Sequence, residues 1–342
     1  MSEVAASELA SIGDAAINEG DLRLAIGAGA SMDAQLPDWN TLAAYLAQAI
    51  RGSDSLQRCN VEPSWAIECV RGNGSEASYR RALRDALYGD NFVLSDTTWP
   101  FFAVRHLAAI SAEIAWRAPR SQAHVITYNV DCLLELSIAR LGFQAIALVP
   151  VLGETAPYRE VVFEPEQRPA RDLPKVRILH PHGLVPVDAS QLADEFEEDL
   201  RKQPLTMSAE DYEVRGGIAD IWQNSLQVAT FSQHRCLFYG FGFTDPSVRK
   251  LLRLAAQVRR VSGGHLAMLP SVAPGAVPNQ REMCDRLEDL GVTHTYWSHR
   301  RDFQDQVAVL HSLTRNCQWG RLDFALRNHP GFRSGRAASN HG

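Results

Sequence analysis

The chain has 342 residues, 45% hydrophobic and 22% charged, with a formal net charge of -6 and a pI near 6.0. That balance belongs to a globular protein near the upper size for a single core. It gives no electrostatic ground for direct nucleic-acid or membrane binding. No apolar run is long enough to span a bilayer. The acidic, amphipathic N-terminus lacks the basic start and apolar centre of a secretory signal, so a cytoplasmic location is expected. The cysteines (Cys59, Cys69, Cys132, Cys236, Cys284 and Cys317) form no C-x-x-C pair. No metal site is therefore expected, and the thiols are expected to be reduced core residues.

Residues 4–20 read as an amphipathic helix, with Val4, Leu9, Ile12, Ala16 and Ile17 near helical spacing. Leu22, Leu24, Ala25 and Ile26 form an apolar run into Gly27-Ala28-Gly29-Ala30-Ser31. This predicts a buried strand, a glycine-rich turn and a helix start, where unpaired N–H groups suit a pyrophosphate. A plain strand-to-helix turn is the alternative. Asn40 is the expected N-cap of a helix running through about Ile50. Residues 52–120 show helical spacing around Trp65–Val70, Tyr79–Tyr88 and Phe101–Trp116, and predict an inserted, mostly helical subdomain.

Beyond it, residues 123–128, Ala145–Val151, 176–180, 236–240, His265–Leu269 and Thr293–Trp297 read as buried strands. Helices are expected after Cys132, over Ile218–Ala229, from Ser247 to Val261, and at 281–290 and 302–314. Residues 153–175 read as a loop or small hairpin, 194–199 as a solvated acidic helix face, and Ser208 as a helix start. Strands alternating with helices predict an α/β fold: a Rossmann-like, doubly wound, mostly parallel sheet. A single domain over residues 1–330 and a frayed tail at 331–342 complete the expectation.

Four loops follow four of these strands: Gly27–Ser31, Thr127–Asp131, His180–Gly183 and Gly240–Asp245. In a parallel sheet they open on one edge, where α/β proteins bind ligands. Each has a bland reading. Asn129 and Asp131 suit helix caps, His182 a satisfied structural histidine, and Asp245-Pro246 an ordinary helix entry. Their joint occurrence points to a shared nucleotide site.

The ordered series GAGAS, LPDW, TYNVD, HPHG and GFGFTDP resembles the sirtuin family over roughly residues 20 to 315. The resemblance is closer to the NAD-cleaving sirtuin-like domains of bacterial anti-phage defence than to the protein deacylases. Leu205–Tyr212 also resembles a stretch of such domains. The resemblance implies that Gly27, Ala28, Gly29, Ala30 and Ser31 hold the pyrophosphate of NAD. Asp38 and Trp39, after Pro37, match the segment that closes over nicotinamide. Asn129 and Asp131, following Thr127, match the Asn-x-Asp that orients nicotinamide and its ribose. His182 matches the catalytic histidine, and Gly240, Gly242 and Asp245 fall where the family contacts adenosine.

The lack of paired cysteines separates this chain from zinc-containing deacylases. Trp39 stands where the family has Phe, and Tyr128 and Val130 flank Asn129 in place of its usual neighbours. These departures favour water as the acceptor, so NAD glycohydrolysis to nicotinamide and ADP-ribose is expected, as a regulated defence effector. An NAD- or ADP-ribose-sensing subunit without turnover, and a zinc-free deacylase or ADP-ribosyltransferase, are the alternatives. The resemblance further implies regulation by homo-oligomer formation or by a separate sensor or ATPase partner.

Overall fold

The computed structural model describes residues 2–3, 5–32, 34–51, 76–89, 103–151, 156–165, 173–187, 205–206, 218–243, 245–259, 263–270, 285–298 and 304–316. Among them lies a sheet of nine strands: β1 Ser2–Glu3, β2 Leu22–Ile26, β3 Val125–Thr127, β4 Ala145–Pro150, β5 Tyr158–Phe163, β6 Val176–Leu179, β7 Arg235–Tyr239, β8 His265–Pro270 and β9 Val292–Ser298. Their order is β1-β9-β8-β7-β2-β3-β6-β4-β5, parallel throughout except for β5, which pairs antiparallel with β4. The flanking helices are α1 Ala6–Asn18, α2 Trp39–Arg51, α3 Glu76–Tyr88, α4 Ala103–Arg117, α5 Leu133–Arg140, α6 Ile218–Gln233, α7 Pro246–Val258 and α8 Gln304–Asn316. The expected Rossmann-like, doubly wound α/β fold is what the chain forms.

Helices cover both faces, so β2, β3 and β4 are buried along their whole length and still alternate between two cores. Leu22, Leu24 and Ile26 of β2 join Leu237 and Tyr239 of β7 in a core with α1, α4, α5 and α8. Ala25, Cys236 and Phe238 face the other way, against Leu226 and Phe231 of α6 and Val248 and Leu252 of α7. Arg23 is the polar exception in β2. It donates to the carbonyls of Gly20 and Leu22, which lets a guanidinium sit beneath the end of α1.

Several boundaries differ from the sequence reading for local reasons. The first long helix begins at Trp39, because Asp38 rather than Asn40 caps it: Thr41 N donates to Asp38 Oδ1 at 2.8 Å. The 153–175 stretch, by contrast, keeps its hairpin reading: part of it forms the edge strand β5, antiparallel to β4. Ser2-Glu3 pairs with β9, a two-residue strand too short and polar to announce itself. Within 52–120, α3 packs beside α2, and α4 lies in the main helix layer against α5 and α8. The helical spacing read at 65–70, the acidic run 194–199, the Ser208 helix start, the tail 331–342, and Cys59, Cys69, Cys284 and Cys317 lie outside the described residues. No helix among the described residues is long and apolar enough to cross a membrane.

Candidate active site

The topology fixes where a ligand can sit. β2 lies between β3 and β7; the chain first winds to β3 and later returns to the far side of β2 at β7. This is a topological switch point, and the carboxyl ends of β7, β2, β3 and β6 carry the loops 240–245, 27–31, 128–131 and 180–183.

The loops are tied to one another in a chain. Gly29 N donates to Gly240 O at 3.0 Å, and Gly27 N to Tyr239 O at 3.0 Å. A Cβ on Gly27 would lie 2.5 Å from Gly240 O, and one on Gly29 2.8 Å from Gly240 Cα. Gly240 itself has φ +64 and would drive a Cβ into the backbone at Gly29 and Ala30. The first demand for glycine thus comes from the neighbouring loop. Phe243 holds φ 52, a left-handed backbone rare for an aromatic residue, among the rings of Phe238 and Phe241.

Ser31 joins the glycine turn to the β3 loop. Its Oγ donates to Asp131 Oδ2 at 2.9 Å and accepts from Asn129 Nδ2 at 3.1 Å. The serine has one proton and gives it to the carboxylate, so the amide orientation of Asn129 is fixed. Asn129 Oδ1 is then left buried with no hydrogen-bond partner among the described residues. Thr127 Oγ1 accepts from Asn129 N at 3.2 Å, and Asp131 Oδ1 from Leu133 N at 3.1 Å. Asp131 thereby helps start α5, while the Asn129 side chain does not. Burial raises the Asp131 carboxyl above the usual range, against the bonds from Leu133 and Ser31 that lower it.

His182 closes the ring from the β6 loop. Its Nδ1 lies 3.0 Å from Tyr128 O. A carbonyl only accepts, so Nδ1 carries a proton, and the neutral ring is the tautomer with its lone pair on Nε2. Nε2 lies 3.5 Å from Asp245 Oδ2. Asp245 in turn caps α7, accepting from Ser247 N and Val248 N. The His182 side chain is 16% exposed, whereas His180, two residues earlier, is fully buried against Glu135. His180 is a structural member of the HPHG stretch, and His182 is the one within reach of a ligand.

Beside His182 opens a half-open cleft of about 680 Å3 between α6 and α7, with Tyr128, Asp220, Gln223, Gln227 and Lys250 in its walls. The Tyr128 hydroxyl donates to Gln227 Oε1 at 2.5 Å. Burial pushes this phenol well above its usual range, so it stays a neutral donor. No metal-binding group of His, Cys, Asp and Glu occurs among the described residues.

Each residue singled out from the sequence has a place here. Gly27, Gly29 and Gly240 form the loop contact, with Ala28 and Ala30 in the helical turn between. Ser31, Thr127, Asn129 and Asp131 form one hydrogen-bonded network, and His182 and Asp245 approach each other beside it. Asp38 caps α2 below the partly exposed Trp39, and Gly242 is exposed on the β7 loop. Sequence reasoning missed Gln227 and Tyr88, whose long separations from the loops carry no local signal.

A family model described as a SIR2-like domain matches residues 123–295, from β3 into β9. The match takes in Asn129, Asp131, His182, Gly240, Gly242 and Asp245; the glycine turn lies ahead of it. No curated protein matches the chain.

Proposed function

Since the chain belongs to the SIR2-like domain family, whose members are NAD-dependent enzymes, we propose that it hydrolyses NAD to nicotinamide and ADP-ribose. One observation carries the reading: a buried, unpartnered acceptor, Asn129 Oδ1, lies one residue from the carbonyl that orients His182. An open acceptor held by a fixed amide suits a ribose hydroxyl. The N–H groups of Gly29, Ala30 and Ser31 are bonded to Gly240 O, Gly27 O and Ala28 O, so the pyrophosphate reading of this turn rests on the family resemblance and not on open donors.

The reaction follows from the tautomer. The bond between ribose C1′ and the nicotinamide nitrogen breaks, and its electron pair leaves with nicotinamide. The positive charge gathers on the ribose. A water oxygen bonds to C1′, and its proton passes to His182 Nε2. The Asp245 carboxylate faces the imidazolium so formed. Asn129 fixes the sugar, and the Ser31–Asp131 pair fixes Asn129.

Purified protein incubated with NAD, with products separated chromatographically, tests this beside His182→Ala and Asn129→Ala. Nicotinamide and ADP-ribose are expected in equal amounts, with turnover reduced about 100-fold or more in His182→Ala. Wild-type protein that binds NAD without turnover leaves two readings, an enzyme still held off and a sensing subunit. The cleft beside His182 favours a second reading, in which an acyl-lysine peptide is the acceptor. Nicotinamide released only when such a peptide is added decides for it. An effector role in anti-phage defence, held off until assembly or a sensor partner releases it, completes the proposal. Cells carrying the His182→Ala variant should then lose protection against phage.

A further inference from the structure

Tyr88 is the last residue of α3, and its ring is 6% exposed. Its hydroxyl sits between the two loops that carry the candidate catalytic groups. Cys132 N donates to the Tyr88 hydroxyl at 3.2 Å, and the hydroxyl donates to Val185 O at 2.7 Å. Cys132 follows Asp131 directly, and Val185 lies three residues beyond His182. A main-chain bond beside it, Val185 N to Val130 O at 2.6 Å, joins the same loops. The main-chain bond ties the loops to each other. Tyr88 ties both of them to a helix outside the strand–loop series.

We infer that Tyr88 is a positioning residue for the proposed NAD cleavage. Its hydroxyl holds the Asn129–Asp131 loop and the His182–Val185 loop in catalytic register, and so makes the site depend on how α3 is docked. The inference rests on the NAD reading for its kinetic arm. Three features support it. The Cys132 amide and the Val185 carbonyl are buried, so each needs its partner. Burial holds the phenol well above its usual range, so it remains a donor at any working pH. The α3 helix packs against α2, which starts just beyond the glycine turn. A shift of this pair would therefore reach both loops through one hydroxyl. Small displacements of catalytic groups cost large factors in rate.

Tyr88→Phe deletes only the hydroxyl. Leu313→Val, in α8 and fully buried beside Gly13 of α1, removes packing outside α3. Two readings are taken on both variants and the wild type: NAD turnover resolved into kcat and KM, and amide hydrogen exchange. Tyr88→Phe is expected to lower kcat about 10-fold or more with KM changed less than about 2-fold. Exchange should quicken at Cys132 and around 183–187, while β3 stays protected. Leu313→Val should lower the melting temperature at near wild-type kcat. Equal kcat in Tyr88→Phe and wild type overturns the inference and leaves NAD cleavage standing. A kcat loss in Leu313→Val as large as that in Tyr88→Phe also overturns it, since lost stability alone then explains the effect. A wild type that fails to turn over NAD counts against the NAD reading instead. Exchange then decides the clamp: unchanged protection at the two loops sinks it.

Discussion

Asn129 has one end of its amide tied and the other open. The tie is Ser31, and behind Ser31 stands Asp131, a carboxylate buried with two donors aimed at it. Ionised Asp131 is costly in that environment, which is why burial lifts its carboxyl above the ordinary range. The charge earns its place only if a positively charged ribose needs it. Asp131→Asn should therefore change melting temperature little, because the amide oxygen still accepts from Leu133 N and loss of the buried charge offsets the acceptor that Ser31 Oγ loses. NAD turnover should fall by about 100-fold. A variant that is less stable and equally active would place Asp131 in loop architecture alone. This level was only half legible in the sequence. The residue types of the Asn-x-Asp and HPHG stretches were visible. The roles of Ser31 between them and of Tyr88 above them depend on contacts across 100 and 97 positions, which no local pattern encodes.

Among the elements, α7 and its cap illustrate how a structural role and a chemical one share a side chain. Asp245 followed by Pro246 is an ordinary helix entry, and it serves as one, accepting from Ser247 N at 2.8 Å. The same carboxylate reaches His182 with its other oxygen. The two roles separate by substitution. Asp245→Asn keeps a capping acceptor, so its melting temperature should stay near wild type. Asp245→Ala loses the cap and should cost about 1 kcal/mol in denaturant unfolding. Both lose the charge that faces the imidazolium, so both should turn over NAD more slowly. Normal turnover in Asp245→Asn would confine Asp245 to capping. Helix starts were legible where such chemistry was local, as at Asp245. Asn40 was misjudged because Asp38, two residues earlier, satisfies the first turn and sets the boundary. The β1 strand was invisible because its two polar residues are ordered by β9 and not by their own propensity.

At the scale of the whole molecule, the parallel sheet was readable because strands covered on both faces leave uninterrupted apolar runs. Closing such a sheet under two helix layers also buries histidines, and these make the fold acid-sensitive. His124 Nδ1 accepts from Arg177 N at 2.9 Å, a bond that a protonated ring cannot keep. Burial pushes its pKa down to about 4. His106, packed edge-on against His311 between α4 and α8, is likewise pushed down to about 4 by burial beside Arg105. His265 is held well below the ordinary value, again chiefly by burial. In the unfolded chain each ring takes a proton near the ordinary value of 6.5, while the folded rings of His106 and His124 wait until about 4. The unfolded state therefore binds more protons across that window, and stability falls as pH falls through it. Asp131 runs the opposite way, since its raised carboxyl favours the folded state in acid, but the three buried rings outnumber it, and His294 and Asp21, both lowered, side with them. The melting temperature should be level above neutrality and decline steadily as pH drops from about 6.5 towards 4. A melting temperature that stays flat down to about pH 4.5 would mean these rings are not buried neutral, and the packing of α4 on α8 would need redrawing.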